Sequence, residues 1–139
     1  MKLTPYLNFN GDCKAAFEFY EKALGGKITF MMTHEDVPAS ENIGPEWKDR
    51  IMHARLEIGD QHLMGSDSPP EYFEKQQGIY VSIHVDTVDE AETVFAALSE
   101  GGEVRMPIGE TFWALRFGMV IDRFGTPWMI NCEKPFSPE

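Results

Sequence analysis

The second half of this 139-residue chain restates the first, and that repeat limits the fold more than any other property of the sequence. From Leu3 to Asn10, Leu3, Pro5, Leu7 and Phe9 alternate with Thr4, Tyr6, Asn8 and Asn10, as in a strand with one side in a core. Asp12 then offers an N-cap to a helix from Cys13 to Leu24, whose inner stripe is Cys13, Phe17, Tyr20 and Leu24; Gly25-Gly26 ends it. Lys27–His34 reads as a strand with Ile28, Phe30 and Met32 on its apolar face. Ile51–Ile58 sets Met52, Ala54, Leu56 and Ile58 against His53, Arg55 and Glu57, and Gln61–Ser66 follows a turn at Gly59-Asp60. The order then restarts with a strand to Asp86, a helix over Val88–Ser99, a Gly101-Gly102 stop, and strands at Glu103–Pro107, Leu115–Asp122 and Thr126–Glu133.

Tyr6 matches Tyr80, Asp12 matches Asp86, Ala23 matches Ala97 and Leu24 matches Leu98, each 74 positions on, while Met64 matches Met129 and Ser66 matches Asn131 at 65. Each copy is therefore β-α-β-β-β. A unit this short cannot bury its own apolar face, so the expectation is one α+β domain over 1–139 with module 1 at about 1–67 and module 2 at about 79–134. The clearest hairpin is Val120–Glu133, with its turn on Asp122 and Gly125 and Pro127 opening the returning strand. Glu35–Asp49 carries no period and reads as a long loop, either a lid over a site or a plain excursion; Asp67–Gly78 reads as a connector.

Composition excludes some partners. A net charge of −11 and a pI near 4.7 leave no basic stripe for nucleic acid and nothing to attract an anionic membrane surface. No apolar run approaches the ~20 residues of a membrane span, and the N-terminus lacks a secretory pattern. Cys13 and Cys132 make neither a disulfide framework nor a Cys-x-x-Cys site, so a reduced, cytoplasmic setting is expected.

Each module has one helix to cover the apolar side of its strands. The other sides carry Tyr6, Asn8, His53, Arg55, Tyr80, Ser82, His84, Arg116 and Asn131. If the sheets curve, these faces line a polar cavity with aromatic walls, the usual make-up of a small-molecule site. If they do not, the faces are simply solvated, as in many antiparallel sheets.

The opening Pro5-Tyr6-Leu7-Asn8-Phe9-Asn10-Gly11, the helix segment Ala16 to Tyr20 and the closing run from Asp122 to Asn131, with its Trp-Met-Ile-Asn, resemble the PhnB-like branch of the vicinal oxygen chelate superfamily, which includes glyoxalase I, bleomycin-resistance proteins and extradiol dioxygenases. The resemblance implies two modules forming an incomplete, curved mixed-sheet barrel, and a homodimer. Enzymes of the superfamily hold a divalent metal with His or Glu from the first and fourth strand of each module. Those slots fall here on or beside Tyr6, Met64, Tyr80 and Met129, none an ordinary ligand for a hard metal, so no metal or other cofactor is expected. The branch has often carried the label of a demethylubiquinone methyltransferase, yet the chain has no Gly-rich strand-to-helix turn of the kind a Rossmann-like methyl-donor site needs.

Two functions follow. One is a metal-independent protein that binds a small molecule between Tyr6, Asn8, His53, Arg55, Met64, Tyr80, Ser82, His84, Arg116, Met129 and Asn131. The other is an isomerase or lyase using a relocated metal at His84 and His53, or an Arg/His pair in which Arg clamps an anion while His moves a proton. His53, Arg55 and Glu57 read equally as a cross-strand charge ladder. His62, ahead of the fourth strand, and His34, at a strand end, are expected to be exposed; Cys13 is expected to be buried and inert.

Overall fold

The computed structural model describes residues 1–36 and 45–135. The chain divides into two compact units, Met1–Glu74 and Lys75–Glu139, and each holds one β-α-β-β-β module. The lid reading of Glu35–Asp49 falls largely on 37–44, outside the described residues; short 3-10 turns at His34–Asp36 and Pro45–Trp47 flank that stretch.

In module 1, β1 (Tyr6–Phe9) leads into α1 (Cys13–Leu24), then β2 (Lys27–Thr33), β3 (Ile51–Ile58) and β4 (Gln61–Asp67). The sheet order is β1-β4-β3-β2, with β1 parallel to β4 and the other pairs antiparallel. Parallel neighbours need a long crossover, and α1 supplies it, passing over the sheet from one edge strand to the other. Phe9, Phe17 and Tyr20 meet edge to face or tilted beneath α1, and Leu7, Ala54, Leu56 and Leu63 complete this core. Gly65 of β4 lies in it because a Cβ there would come within 2.8 Å of the Phe17 ring.

The helix start differs from the sequence reading. Asp12 makes no capping bond from its side chain. Asp67, buried at the end of β4, takes that role: its Oδ1 accepts from the Gly11 and Cys13 N–H groups at 3.0 Å, and its Oδ2 accepts from Ile51 N–H at 2.8 Å. One carboxylate thus ties together three segments distant in sequence. Beside it, burial first and then the Asp67 and Asp12 charges push the Cys13 thiol far above its ordinary range, so it is protonated and inert.

Module 2 runs β5 (Val81–His84), α2 (Val88–Ser99), β6 (Glu103–Gly109), β7 (Ala114–Ile121) and β8 (Pro127–Glu133), in the order β5-β8-β7-β6. Here Thr87 is the N-cap, accepting from Glu90 N–H at 3.1 Å. The expected final hairpin is present. Asp122 Oδ1 accepts from Phe124 and Thr126 N–H, its Oδ2 accepts from the Trp128 indole at 2.8 Å, and Gly125 takes a positive φ of 92°.

The repeat is real, but its register differs from the one the matched tyrosines suggest. The glycine doublets anchor the comparison. Gly25 and Gly101, 76 apart, both adopt left-handed φ after their helices, and Gly26 and Gly102 lie against the carbonyls of Glu57 and Ile121. From there the ladders fix the rest. Met64 opposes Arg55 as Met129 opposes Met119, so the 65-residue match holds. Met64 also opposes Tyr6, whereas Met129 opposes Ser82, so Tyr6 corresponds to Ser82 and not to Tyr80. Within the helices the step is 75, aligning buried Ala16 with Ala91 and Tyr20 with Phe95.

Candidate functional site

In module 1 the face away from α1 gathers most of the side chains expected there. The pairs Tyr6–Met64, Asn8–Ser66, Met64–Arg55 and His62–Glu57 stand side by side across β1, β4 and β3. Tyr6 stacks on His53 with ring centres 5.7 Å apart, and its hydroxyl lies 3.2 Å from His53 Nδ1. Phe30 also packs against His53, tilted, with ring centres 5.6 Å apart. Sequence reasoning placed Phe30 and Met32 on the buried side. An irregularity in the β2–β3 ladder at Thr29 shifts the alternation, so Ile28 opposes buried Leu56 while Phe30 opposes Arg55 and Met32 opposes His53.

Arg55 reaches Thr29 Oγ1 at 3.1 Å and Glu57 at 3.9 Å, and His62 lies 3.5 Å from Glu57. Arg55, Glu57 and His62 thus form a row of polar contacts on this face, while His53 packs against Tyr6 and Phe30. His62 lies inside β4, and His34 packs its ring against Trp47 at 5.9 Å, so neither is the freely exposed histidine expected from sequence.

In module 2 the corresponding face brings Ser82, Met129, His84, Asn131, Phe117 and Met119 together. His84 Nε2 is 3.3 Å from Ser82 Oγ, and His84 Nδ1 is 3.3 Å from Asn131 Nδ2 and 3.8 Å from a Glu133 carboxylate oxygen. Asn131 is only 7% exposed, and among the described residues its Oδ1 has no hydrogen-bond partner. A hollow of about 330 Å³ opens here, lined by His84, Val85, Asp86, Asn131 and Glu133. Sequence reasoning missed Val85, Asp86 and Glu133; Asp86 and Glu133 were visible only as charges at strand ends.

Arg116 does not belong to this face. A shift in the β7–β8 ladder between Ala114 and Arg116 sets Arg116 opposite buried Cys132, on the side covered by α2, where it donates to Glu92 at 2.9 Å. Tyr80 lies just ahead of β5 and is half-buried.

The donors at the slots where superfamily enzymes hold their metal do not fit one. Tyr6 and Met64 are cross-strand neighbours, as are Ser82 and Met129, and phenol, hydroxyl and thioether are poor ligands for a hard divalent cation. Among the described residues no three His, Cys, Asp or Glu side chains converge as a metal site would require. Among them, too, no helix is long and apolar enough to cross a membrane.

Protein YjdN of Escherichia coli K12 is 35% identical to this chain, covering 96% of it and 97% of its own length. Protein PA1353 of Pseudomonas aeruginosa is 48% identical in its crystal structure, covers 97% of this chain and 99% of its own, and superposes with a TM-score of 0.88. The PhnB protein of Bacillus cereus is 25% identical over 95% of this chain and 99% of its own, with a TM-score of 0.80. The bleomycin-binding protein of Streptomyces verticillus, at 20% identity over 96% of this chain and 97% of its own, shares the fold with a TM-score of 0.59. The profile of the Glyoxalase/Bleomycin resistance protein/Dioxygenase superfamily matches residues 2–130, and the chain belongs to that superfamily.

Proposed function

We propose that this chain is a metal-independent small-molecule-binding protein whose ligand contacts are the helix-free faces of its sheets. The observation that carries the reading is a hollow of about 330 Å³ on the open face of module 2, walled in part by Asn131, a buried amide whose oxygen has no hydrogen-bond partner among the described residues. Buried polar atoms in folded proteins are nearly all satisfied, and an exception calls for a ligand or ordered water. The Tyr6–His53–Phe30 cluster on module 1 adds flat aromatic surface of the kind that receives rings. The Streptomyces verticillus neighbour, which shares the fold alone, binds bleomycin. The homodimer implied by the family and a cytoplasmic setting belong to the same proposal.

Native mass spectrometry of protein purified without added ligand tests it. A bound organic mass that is lost in Asn131→Leu supports the reading. Stoichiometric zinc, nickel or iron with no organic mass overturns it. One contact favours an enzyme instead: Tyr6 Oη and His53 Nδ1, 3.2 Å apart, are placed to exchange a proton. Turnover of a co-purified compound, abolished by His53→Ala, would establish that second reading.

A further inference from the structure

We infer that module 1 receives an aromatic carboxylate, its anion held by the Arg55 guanidinium and its ring set against Tyr6 and Phe30; the inference rests on the binding reading above and names the chemistry of one part of it.

Tyr6, Met64, Arg55 and Phe30 stand in one row across all four strands of the module 1 sheet, on the face away from α1. Tyr6 and Phe30 belong to opposite edge strands, yet both rings meet His53 on β3, so the Tyr6 side chain spans the width of β4. Both rings are open to solvent, Tyr6 at 46% exposure and Phe30 at 39%. Two accessible rings with a thioether between them offer a flat ligand stacking and edge contacts, and the Met64 side chain can adapt to its outline.

The charge of the same face selects an anion. Arg55 Nε donates to Thr29 Oγ1 at 3.1 Å, which holds the guanidinium in place, and its two terminal nitrogens have no acceptor among the described residues. The edge left open presents two parallel N–H groups, the match for a carboxylate. Glu57 approaches Nε only to 3.9 Å, too far for a hydrogen bond, and the same oxygen lies 3.5 Å from His62. Lys27 is the cross-strand neighbour of Glu57, so the strands of this face set two fixed cations, Lys27 and Arg55, against one carboxylate. His53 and His62 add no negative charge in either protonation state. One carboxylate on the ligand answers that local surplus, which stands out on a chain of net charge −11.

The test titrates 2-naphthoate, its neutral amide and the non-aromatic cyclohexanecarboxylate into 15N-labelled protein. The reporters are the Arg55 Nε–H and the Met64 backbone N–H, which donates to the Pro5 carbonyl at 3.1 Å. Naphthoate is expected to shift both saturably, and the other two compounds to bind at least about tenfold more weakly. Arg55→Lys keeps the charge but loses the fork, and should weaken naphthoate about tenfold as read at Met64. Phe30→Leu, at an exposed ring, should weaken naphthoate and leave cyclohexanecarboxylate unchanged. No response to naphthoate, an amide or a cyclohexane acid that binds as tightly, or unchanged naphthoate affinity in either variant overturns the inference. The binding reading is judged apart from this, by whether the purified protein carries an organic mass that Asn131→Leu loses.

Discussion

The two modules share an order of elements and a ladder, yet they fill their cores and fasten their helices differently. In module 1 the α1 ring that meets a glycine is Phe17, and that glycine is Gly65 on β4. In module 2 the ring is Phe95 and the glycine is Gly118 on β7, one strand over. The positions corresponding to Phe17 and Gly65 hold Glu92 and Ile130; those corresponding to Phe95 and Gly118 hold Tyr20 and Ala54. At the first pair the small residue of one module corresponds to a large one in the other, while at the second both modules keep a ring over a small residue; partners change together because a close-packed interior has no room for one change alone. The fastening differs too. Buried Asp67 holds module 1 where module 2 has Cys132, and Asp122 holds the module 2 hairpin where module 1 has Ile58 in a two-residue turn. The open faces have diverged as well, toward an aromatic and histidine cluster in module 1 and toward methionines and an amide in module 2. The lesson is that the fold demands the ladder and the crossover helix, while core filling and site chemistry are free to drift in each copy.

The largest expected effect is at Asp67. Asp67→Ala leaves three N–H groups without their acceptor, two of those bonds fully buried, and should lower stability by about 3–5 kcal/mol in urea unfolding. Asp122→Ala should cost a similar amount, because two of its three bonds, from Thr126 N–H and the Trp128 indole, are buried as well. A cost at Asp122 below half that at Asp67 would mean that water enters the hairpin once the carboxylate is gone.

Much of this was legible from the chain. Alternation named the two faces of β1, β5 and most of β3, although Met52, expected on the apolar face of β3, is exposed, and both helices fall where their periodicity placed them. What alternation cannot see is a slip of two, which returns every side chain to its own face. That is why Tyr6 matched Tyr80 so persuasively while the ladder pairs Met129 with Ser82. Nor can it see a local irregularity, and two of them misplaced Phe30 and Arg116. The Asp67 cap was hidden for another reason, since it bonds to Cys13 across 54 residues and a capping motif is sought next to the helix.

The packing contrast predicts a smaller, coupled effect. Gly65→Ala drives a methyl into the Phe17 ring and the Leu7 carbonyl and should cost about 2–3 kcal/mol. Phe17→Leu alone should cost about 1–2 kcal/mol. If the ring and the glycine are one unit, the double variant is more stable than the sum of the singles implies, by about 1 kcal/mol. The same cycle on Gly118 and Phe95 should couple with the same sign. Gly65→Ala with Phe95→Leu, drawn from different modules, should simply add.

The smallest contrast is at the first turn of α1, where module 1 has Cys13 and module 2 has Val88. Burial, with the nearby Asp67 and Asp12 charges, keeps the folded thiol protonated well above 9.0, near which an unfolded chain releases that proton. A raised folded pKa means that the folded state holds the proton when the unfolded state has given it up. The contribution is therefore complete below about pH 9 and declines as pH rises above it, by about 1.4 kcal/mol per pH unit. Stability measured from pH 8 to 10.5 should show that fall, and Cys13→Val should flatten the curve by this one group's share. A variant curve parallel to the wild type throughout would mean that the folded thiol titrates as freely as the unfolded one. Valine already occupies the matched place in module 2, so the substitution asks whether the thiol contributes anything beyond the volume it fills.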